Sequence, residues 1–272
     1  MSKFKKIFVN QSSKSIKWSN YFEIYDQLFV PYVGKPITFV EIGVLNGGSL
    51  LMWKEFFGPK SRIIGIDNNP QCKSLEQFGN FEIIIGDQAS PEFWKSLKTK
   101  NIKIDILLDD GGHTNKQQIN TLRNSLDLVN DGGLIVVEDT HASYMREFGN
   151  PSKYSFIEYC KILIDTINSR YIQDPRSKFA ASVYSIEFFE SIVCFRISRQ
   201  NSIKNSRISN QPKKNTEKVN FRNKGTINNI LRVQFFQPQI VLKIFRKLNY
   251  IFHIFVIRKE NYTLKQIFRK ND

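Results

Sequence analysis

Residues 37–43 read ITFVEIG, and four more short, largely apolar runs follow over the next hundred residues: RIIGID (62–67), FEIIIGD (81–87), IDILLDDGG (104–112) and GLIVVED (133–139). Segments with helical periodicity separate these runs, and this alternation is typical of βαβ units. Residues 134–137 are apolar throughout, as strands buried on both faces of a parallel sheet require. The pattern therefore predicts an α/β fold, a Rossmann-like doubly wound sheet.

The region after the fifth run completes this sheet. Residues 155–170 (SFIEYCKILIDTINSR) have the periodicity of an amphipathic helix. Two strand-like segments follow, SVYSIEFF (182–189) and SIVCFRI (191–197), and a turn at Glu190 joins them. We expect an antiparallel hairpin here that closes a seven-stranded sheet.

The charge of the chain is concentrated at its C-terminal end. The 272 residues carry 40 Lys and Arg against 25 Asp and Glu, a formal charge of +15. Residues 199–272 account for +14 of this charge, and residues 1–198 account for +1. The composition predicts a globular domain over 1–198, a flexible polar linker over 199–229 and a basic amphipathic helical tail over 230–272.

The cysteines and the N-terminus indicate the compartment. Cys72, Cys160 and Cys194 are odd in number and have no C-x-x-C spacing, which argues against a disulfide framework or a cysteine zinc site. The basic N-terminus lacks the apolar segment of a secretory signal, and no run reaches the ~18–20 apolar residues of a membrane span. These features predict a cytoplasmic protein.

Glycines follow the first strand, where the chain turns into a helix. Residues 40–49 read VEIGVLNGGS, and glycines at such a turn let a ligand approach the backbone amides at the helix start. The spacing G-x-x-x-G-G differs from the G-x-G-x-x-G of nicotinamide sites, which argues against a dehydrogenase. The turn predicts a cofactor site that uses these residues: Glu41, Gly43, Asn46, Gly47 and Ser49.

Acidic residues at the next strand ends extend this cofactor site. Asp67 falls 24 residues after Gly43 at the end of the second strand, where a carboxylate can accept hydrogen bonds from both ribose hydroxyls of a nucleoside. Asp87 and Gln88 end the third strand and are predicted to border an adenine ring. Asp109, at the end of the fourth strand, is assigned to the same group.

Three more carboxylates end the fourth and fifth strands. Asp110, Glu138 and Asp139 should converge in one cleft, and a cluster of oxygen ligands favours a hard cation, Mg²⁺ by default and Mn²⁺ or Ca²⁺ as substitutes. His113 lies three residues after Asp110 and is placed to act as a general base on a substrate hydroxyl. The alternative is structural, with the aspartates capping helices and His113 bonded to backbone.

Two longer motifs resemble a known group of enzymes. The form E-x-G-x-x-x-G-x-S at residues 41–49 resembles motif I of the class I S-adenosylmethionine-dependent methyltransferases. The segments IDILLDDGGHT and VVEDTHASY resemble the metal-dependent sugar O-methyltransferases of the mycinamicin and macrocin methyltransferase group, which has cephalosporin hydroxylase-like relatives. The resemblance extends over about residues 39–197.

This resemblance implies a function and a role for each motif residue. It implies a class I methyltransferase domain over 1–198 that transfers a methyl group from S-adenosyl-L-methionine to a sugar hydroxyl. The metal ligands would be Asp110, Glu138 and Asp139, and the general base would be His113. The stretch that faces the acceptor in such proteins falls on His141, Ser143 and Tyr144. Met145 stands where relatives commonly have an aromatic residue.

Other functions stay open at this point. His113 with Asp110 or Glu138 could belong to a facial triad of a non-haem-iron hydroxylase. The basic tail could serve a nucleic-acid-associated methyltransferase, although the N-P-P-[YF] tetrapeptide of many base-modifying enzymes is missing. The tail could instead bind an anionic membrane surface, which would make the protein peripheral at the inner membrane surface, or another anionic partner. A third alternative is that the tail forms a helix that packs in a homo-oligomer.

Overall fold

The computed structural model of the chain describes residues 2–148, 153–169 and 178–202, together with Ile208 and Asn210. In these residues one sheet has the strand order β3-β2-β1-β4-β5-β7-β6. Strands β1 to β5 run parallel, and β7 runs antiparallel to both β5 and β6. The strands are β1 (Thr38–Ile42), β2 (Arg62–Asp67), β3 (Glu82–Ile85), β4 (Ile104–Asp109), β5 (Val129–Val137), β6 (Val183–Phe189) and β7 (Ile192–Ile197). The predicted fold, with its closing hairpin, is confirmed.

Helices cover both faces of this sheet. Side-chain oxygens start several of them: Ser90 accepts from the amide of Phe93, and Thr114 forms a capping box with Gln117. The α-helices are α1 (Lys3–Asn10), α2 (Tyr21–Phe29), α3 (Gly48–Phe57), α4 (Pro91–Thr99), α5 (Asn115–Ser125), α6 (Phe156–Asn168) and α7 (Lys178–Ser182). Short 3-10 helices are Val30–Tyr32, Pro70–Phe78, Thr140–Tyr144 and Arg146–Phe148.

The two faces of the sheet bury different kinds of side chain. Helices α4, α5 and α6 pack mainly aliphatic residues against one face. Helices α1, α2 and α3 pack an aromatic cluster against the other, in which the rings of Phe4 and Trp53 stack at 4.3 Å and Phe29 meets Trp53 edge-on at 5.5 Å. This packing holds α1 and α2, which the sequence patterns had not predicted, beside the central strands.

The central strand places the site. Strand β1 lies between β2 and β4, so the strand order reverses there, and ligands of doubly wound sheets bind at such a point. Backbone pairing continues just beyond the strands, because the amide of Gly43 donates to Ile66 at 2.8 Å and that of Asp110 donates to Ile42 at 2.9 Å. The residues that follow β1, β2 and β4 therefore lie side by side.

Most residues of the two predicted C-terminal segments lie outside the residues that the structure describes. Of the predicted linker 199–229, only residues 199–202, 208 and 210 are described, and the predicted tail 230–272 lies outside the described residues. Apart from Ile208 and Asn210, the described residues belong to one compact unit, Met1–Ser206. The domain limits proposed from composition stay predictions. Among the helices that are described, none has the length and apolarity needed to cross a membrane.

Candidate active site

A cavity of about 770 Å³ opens at the carboxyl ends of β1, β2, β4 and β5. Two sets of predicted residues line it. The first we call the glycine side: Gly43, Asn46, Ser49, Asp67, Asp87 and Gln88. The second we call the acidic side: Asp110, His113, Glu138 and Asp139. A third wall comes from the N-terminal segment, residues 14–18, together with Tyr21 at the start of α2.

The glycine side and the acidic side come into contact where the backbone of Gly43 packs against the backbone of Asp110. The φ of Gly43 is +94°, and a Cβ built there would lie 2.0 Å from the carbonyl oxygen of Asp110. Glycine is therefore required for conformation and for space. Gly47 also has a positive φ, +76°, and is the N-cap of α3, so the free amides at the start of that helix face the region of the turn.

Glu41 lies beneath this turn and is fully buried. Its carboxylate accepts hydrogen bonds from the hydroxyl of Ser49 at 2.6 Å and from the indole Nε1 of Trp53 at 3.0 Å. Burial raises the pKa of Glu41 to about 7, and the nearby Lys17 opposes this shift. Glu41 does not line the cavity, so it supports the glycine turn from behind.

Asp67 binds the backbone of the glycine turn. Its Oδ2 accepts from the amides of Val44 at 2.8 Å and Leu45 at 3.3 Å, and its Oδ1 accepts from Asn69 at 2.8 Å. Asp67 still lines the cavity, as does the exposed Asp87 at the end of β3. The carboxylate predicted to bind a ribose thus also shapes the loop around it.

Gln88 and Asp109 form a buried pair behind the cavity surface. The amide of Gln88 donates to both carboxylate oxygens of Asp109, at 2.9 and 3.0 Å, and its Oε1 accepts from the backbone of Gly112 at 3.2 Å. Gln88 reaches the cavity, whereas Asp109 is 1% exposed and does not line it. The structure thus places Asp109 as a support for the turn that carries Asp110 and His113.

Asp110, His113 and Asp139 converge on the acidic side. One ligand atom from each lies within 4.8 Å of the other two, an arrangement that can hold a metal ion. The imidazole Nε2 of His113 lies 3.3 Å from Oδ2 of Asp139. His113 and Asp139 both adopt a positive φ, +56° and +53°. Such backbone is uncommon for non-glycine residues, although Asp and His adopt it more often than most, and it clusters at functional sites.

Glu138, the third predicted metal ligand, is enclosed by the N-terminal region. Its Oε1 accepts from the hydroxyl of Tyr25 at 2.5 Å, and its Oε2 lies 2.9 Å from Nζ of Lys17. The same Nζ also bonds Asp110. Burial lowers the pKa of Lys17, but the carboxylates of Asp110 and Glu138 outweigh burial and hold this pKa well above its usual range. Lys17 is therefore a charged ammonium between two carboxylates.

Tyr21 fixes the position of Asp139. Its hydroxyl donates to Oδ1 of Asp139 at 2.5 Å and accepts from the Asp139 amide at 3.2 Å. Burial and the bond to Asp139 raise the pKa of Tyr21, so that its hydroxyl stays protonated and remains a donor. Helix α2 thus supplies two tyrosines, Tyr21 and Tyr25, one to each carboxylate at the end of β5.

The predicted acceptor stretch lies beside the cavity rather than in its wall. His141 bonds the hydroxyl of Ser191 and meets the ring of Trp18 edge-on at 5.7 Å. Ser143 is buried, and its hydroxyl accepts from the amide of Ile157 at 3.3 Å. Tyr144 is 65% exposed. Their acceptor role stays a prediction, and the geometry gives Ser143 a structural contact.

The N-terminal segment contributes residues to the site that the sequence patterns did not predict. Lys17, Tyr21 and Tyr25 contact the acidic side, and Trp18 lines the cavity. One signal was present in the sequence: Tyr21 and Tyr25 are four residues apart and so share one face of a helix. Nothing local indicates that this face meets the ends of β4 and β5.

Part of the chain is similar to proteins of known function. Residues 40–140 match a family described as "Methyltransferase domain". Among curated proteins, 8-demethyl-8-alpha-L-rhamnosyl tetracenomycin-C 2'-O-methyltransferase of Streptomyces olivaceus is 33% identical over 143 residues, which are 49% of this chain and 37% of that protein. Mycinamicin VI 2''-O-methyltransferase of Micromonospora griseorubida is 34% identical over 164 residues, which are 56% of this chain and 40% of that protein.

A solved structure extends the comparison to the fold. The MycE methyltransferase from the mycinamycin biosynthetic pathway, in complex with Mg and SAH, superimposes with a TM-score of 0.63 at 26% identity. The match covers 73% of this chain and 54% of MycE. The chain thus spans less than two thirds of the length of these three relatives.

Residues 40–140, which include the glycine turn and the ends of the fourth and fifth strands, thus match a methyltransferase family. Over about half of its length, the chain is similar to sugar O-methyltransferases of macrolide and tetracenomycin glycosides. The resemblance predicted from the motifs around Asp110 and Glu138 is confirmed.

Proposed function

We propose that the protein is an S-adenosylmethionine-dependent, metal-dependent O-methyltransferase that acts on a sugar hydroxyl. One observation carries the proposal. The glycine side and the acidic side line the same cavity, and the Cβ position of Gly43 is 2.0 Å from the carbonyl oxygen of Asp110. A methyl donor on the first side and a hydroxyl on the second would therefore be neighbours, as direct transfer requires.

The glycine side suits a nucleoside cofactor. Gly43, Asn46, Ser49 and Asp67 border the cavity there, whereas Gly47 does not line it and lies against Leu75 and Phe81. Asp67 already accepts three backbone amides, so its position is set before any ligand arrives. We assign the ribose to Asp67 and the adenine edge to Asp87 and Gln88.

The acidic side suits a divalent ion. Asp110 and Asp139 offer carboxylate oxygens within 4.8 Å of each other and of a His113 nitrogen, and Glu138 lies behind Lys17. Hard ions such as Mg²⁺ or Mn²⁺ prefer such oxygen donors. When bound, S-adenosylmethionine supplies the sulfonium methyl group, and the divalent ion supplies positive charge that stabilises an ionised hydroxyl.

His113 is the proposed general base. Its Nε2 is 3.3 Å from Oδ2 of Asp139, so that carboxylate is placed to orient the imidazole. Tyr21 holds Asp139 through its other oxygen. The acceptor hydroxyl loses its proton to His113, its oxygen bonds to the methyl carbon, and the carbon–sulfur bond breaks to release S-adenosylhomocysteine.

The substrate class rests on the relatives. Their names describe methylation of sugars on tetracenomycin and mycinamicin. We propose a sugar-containing acceptor for this chain, which enters beside Trp18 and His141. The cytoplasmic location, and the anionic partner proposed for residues 230–272, stay predictions from composition.

A labelled-methyl assay tests this function. The full chain is incubated with methyl-labelled S-adenosylmethionine and a panel of glycosides, and the products are identified by mass. We expect transfer that falls to background with EDTA and returns with Mg²⁺. EDTA saturated with Mg²⁺ beforehand is the control and should not inhibit. Transfer that persists under chelation would contradict the metal requirement. Label found on a nucleic-acid base or on a protein would contradict the sugar acceptor.

A further inference from the structure

Lys17 takes up an unusual position for a lysine. Its side chain is 3% exposed, although the neighbouring Ile16 and Trp18 are 78% and 58% exposed. The ammonium bonds Oδ2 of Asp110, lies 2.9 Å from Oε2 of Glu138 and stands 5.8 Å above the ring of Tyr25. A buried ammonium is costly unless it is paired, and here it neutralises two carboxylates that would otherwise repel each other.

The same two carboxylates belong to the metal set of the proposed function. An ion such as Mg²⁺ requires oxygens at about 2.0–2.1 Å, and it would have to approach the atoms that Lys17 now bonds. An ammonium and a divalent ion on the same oxygens would repel each other strongly in a buried site. Lys17 and the metal therefore compete for Asp110 and Glu138.

We infer that Lys17 is a resident cation of the metal-free protein and that a divalent ion binds to Asp110 and Glu138 by displacing it, which moves residues 14–18 at the cavity wall. This inference rests on the proposed function, because it concerns the metal of that reaction.

The displaced segment also touches the glycine side. The carbonyl oxygen of Lys14 lies 2.5 Å from the position of a Cβ built on Gly48, the first residue of α3. The segment thus packs closely on the helix start that borders the cofactor site. Its movement would uncover this helix start, so metal binding and access for the cofactor are coupled.

Trp18 provides a reporter of this movement. It is half exposed and rests edge-on against His141, whereas Trp53 and Trp94, the other tryptophans of the chain, are fully buried. A change in tryptophan emission on metal binding would therefore come from Trp18. The variant W18F, which lacks the reporter, identifies the signal.

The test measures metal binding rather than turnover. The full chain is stripped with a chelator and titrated with Mn²⁺ alone, and free Mn²⁺ is followed by electron paramagnetic resonance. We expect Lys17→Met to bind Mn²⁺ at least about tenfold more tightly than the natural chain, because the competing charge is gone. Lys60→Met, which removes an exposed lysine that does not line the cavity, should leave the affinity unchanged. Lys17→Gln is a second neutral variant should the methionine variant not fold.

Displacement is tested with diamagnetic Mg²⁺, which does not itself quench fluorescence. Tryptophan emission of the natural chain should shift on titration, and the shift should be absent in W18F and in Lys17→Met. Equal or weaker Mn²⁺ affinity in both neutral Lys17 variants overturns the inference, and so does an unchanged emission in the natural chain. Failure of the proposed function is separate: tighter Mn²⁺ binding without any methyl transfer would overturn the reaction and support the role of Lys17.

Discussion

The glycine side and the acidic side of the cleft are held by different kinds of contact. On the glycine side the bonds are short-range or run to an adjacent strand end: Asp67 binds the amides of Val44 and Leu45, and Glu41 binds Ser49 and Trp53 on the helix that follows. A βα turn of this kind is complete once neighbouring strands have paired.

The acidic side depends on a distant segment. Glu138 is bonded by Lys17 and Tyr25, and Asp139 is bonded by Tyr21, residues that come more than one hundred positions earlier in the chain. The glycine side is therefore preorganised by local backbone, whereas the acidic side takes its final form only when the N-terminal helices dock. The comparison suggests that the two sides can be disabled separately.

The largest effect should come from disabling the acidic side alone. His113→Ala removes the proposed base and should lower transfer by about 10²–10⁴-fold, the usual contribution of general base catalysis. Binding of S-adenosylhomocysteine, measured by calorimetry, should not change, because the glycine side keeps its contacts. His141→Ala is the matched control, since His141 lies beside the cavity, and it should reduce transfer much less. Full activity of His113→Ala would refute the base, and loss of cofactor binding would refute the separation of the two sides.

A smaller effect should come from the point where the sides meet. Gly43→Ala places a Cβ 2.0 Å from the backbone of Asp110 at a φ of +94°, so the backbone must shift, and we expect a loss of roughly 3 kcal/mol of unfolding free energy. Cofactor binding and metal binding should both weaken.

Gly58→Ala is the control for this substitution, because Gly58 has a φ of +91° and open space around its Cβ position. The difference between the two variants in urea unfolding isolates the close approach. Equal losses in both would mean that backbone conformation alone, and not the contact with Asp110, makes glycine necessary at position 43.

The same contrast explains what the sequence could predict. The strand runs, their order and the residues that follow them come from local periodicity and general rules for parallel sheets. These rules placed Gly43, Asp67, Asp110, His113 and Asp139 at neighbouring strand ends, and all five line the same cavity. The positions of these residues depend on neighbours in the chain or in the sheet, and the hydrophobic pattern of the sequence predicts those neighbours.

The errors and omissions have equally physical causes. Asp109 and Asp110 are adjacent, but the last residue of a strand points to one face and the next residue leaves the sheet, so only Asp110 reaches the cavity. The docking of Lys17 and Tyr25 depends on the aromatic packing of α1 and α2 against α3. No local pattern specifies such a long-range contact.

The smallest effect concerns the pH dependence of the glycine side. Burial raises the pKa of Glu41 from 4.5 to about 7, so between these values the folded chain holds a proton that the unfolded chain has lost. The stabilising contribution of this group is full below pH 4.5 and is lost as pH rises through 7, up to roughly 3 kcal/mol in all. Glu41→Gln should flatten this decline in urea unfolding across pH 4.5–7.5, because an amide stays neutral and can still bond Ser49 and Trp53. Glu82→Gln, on an exposed pair with Arg62, is the control and should leave the decline in place. If the unfolding free energy of Glu41→Gln declined equally steeply with pH, the decline would have to come from the acidic side instead.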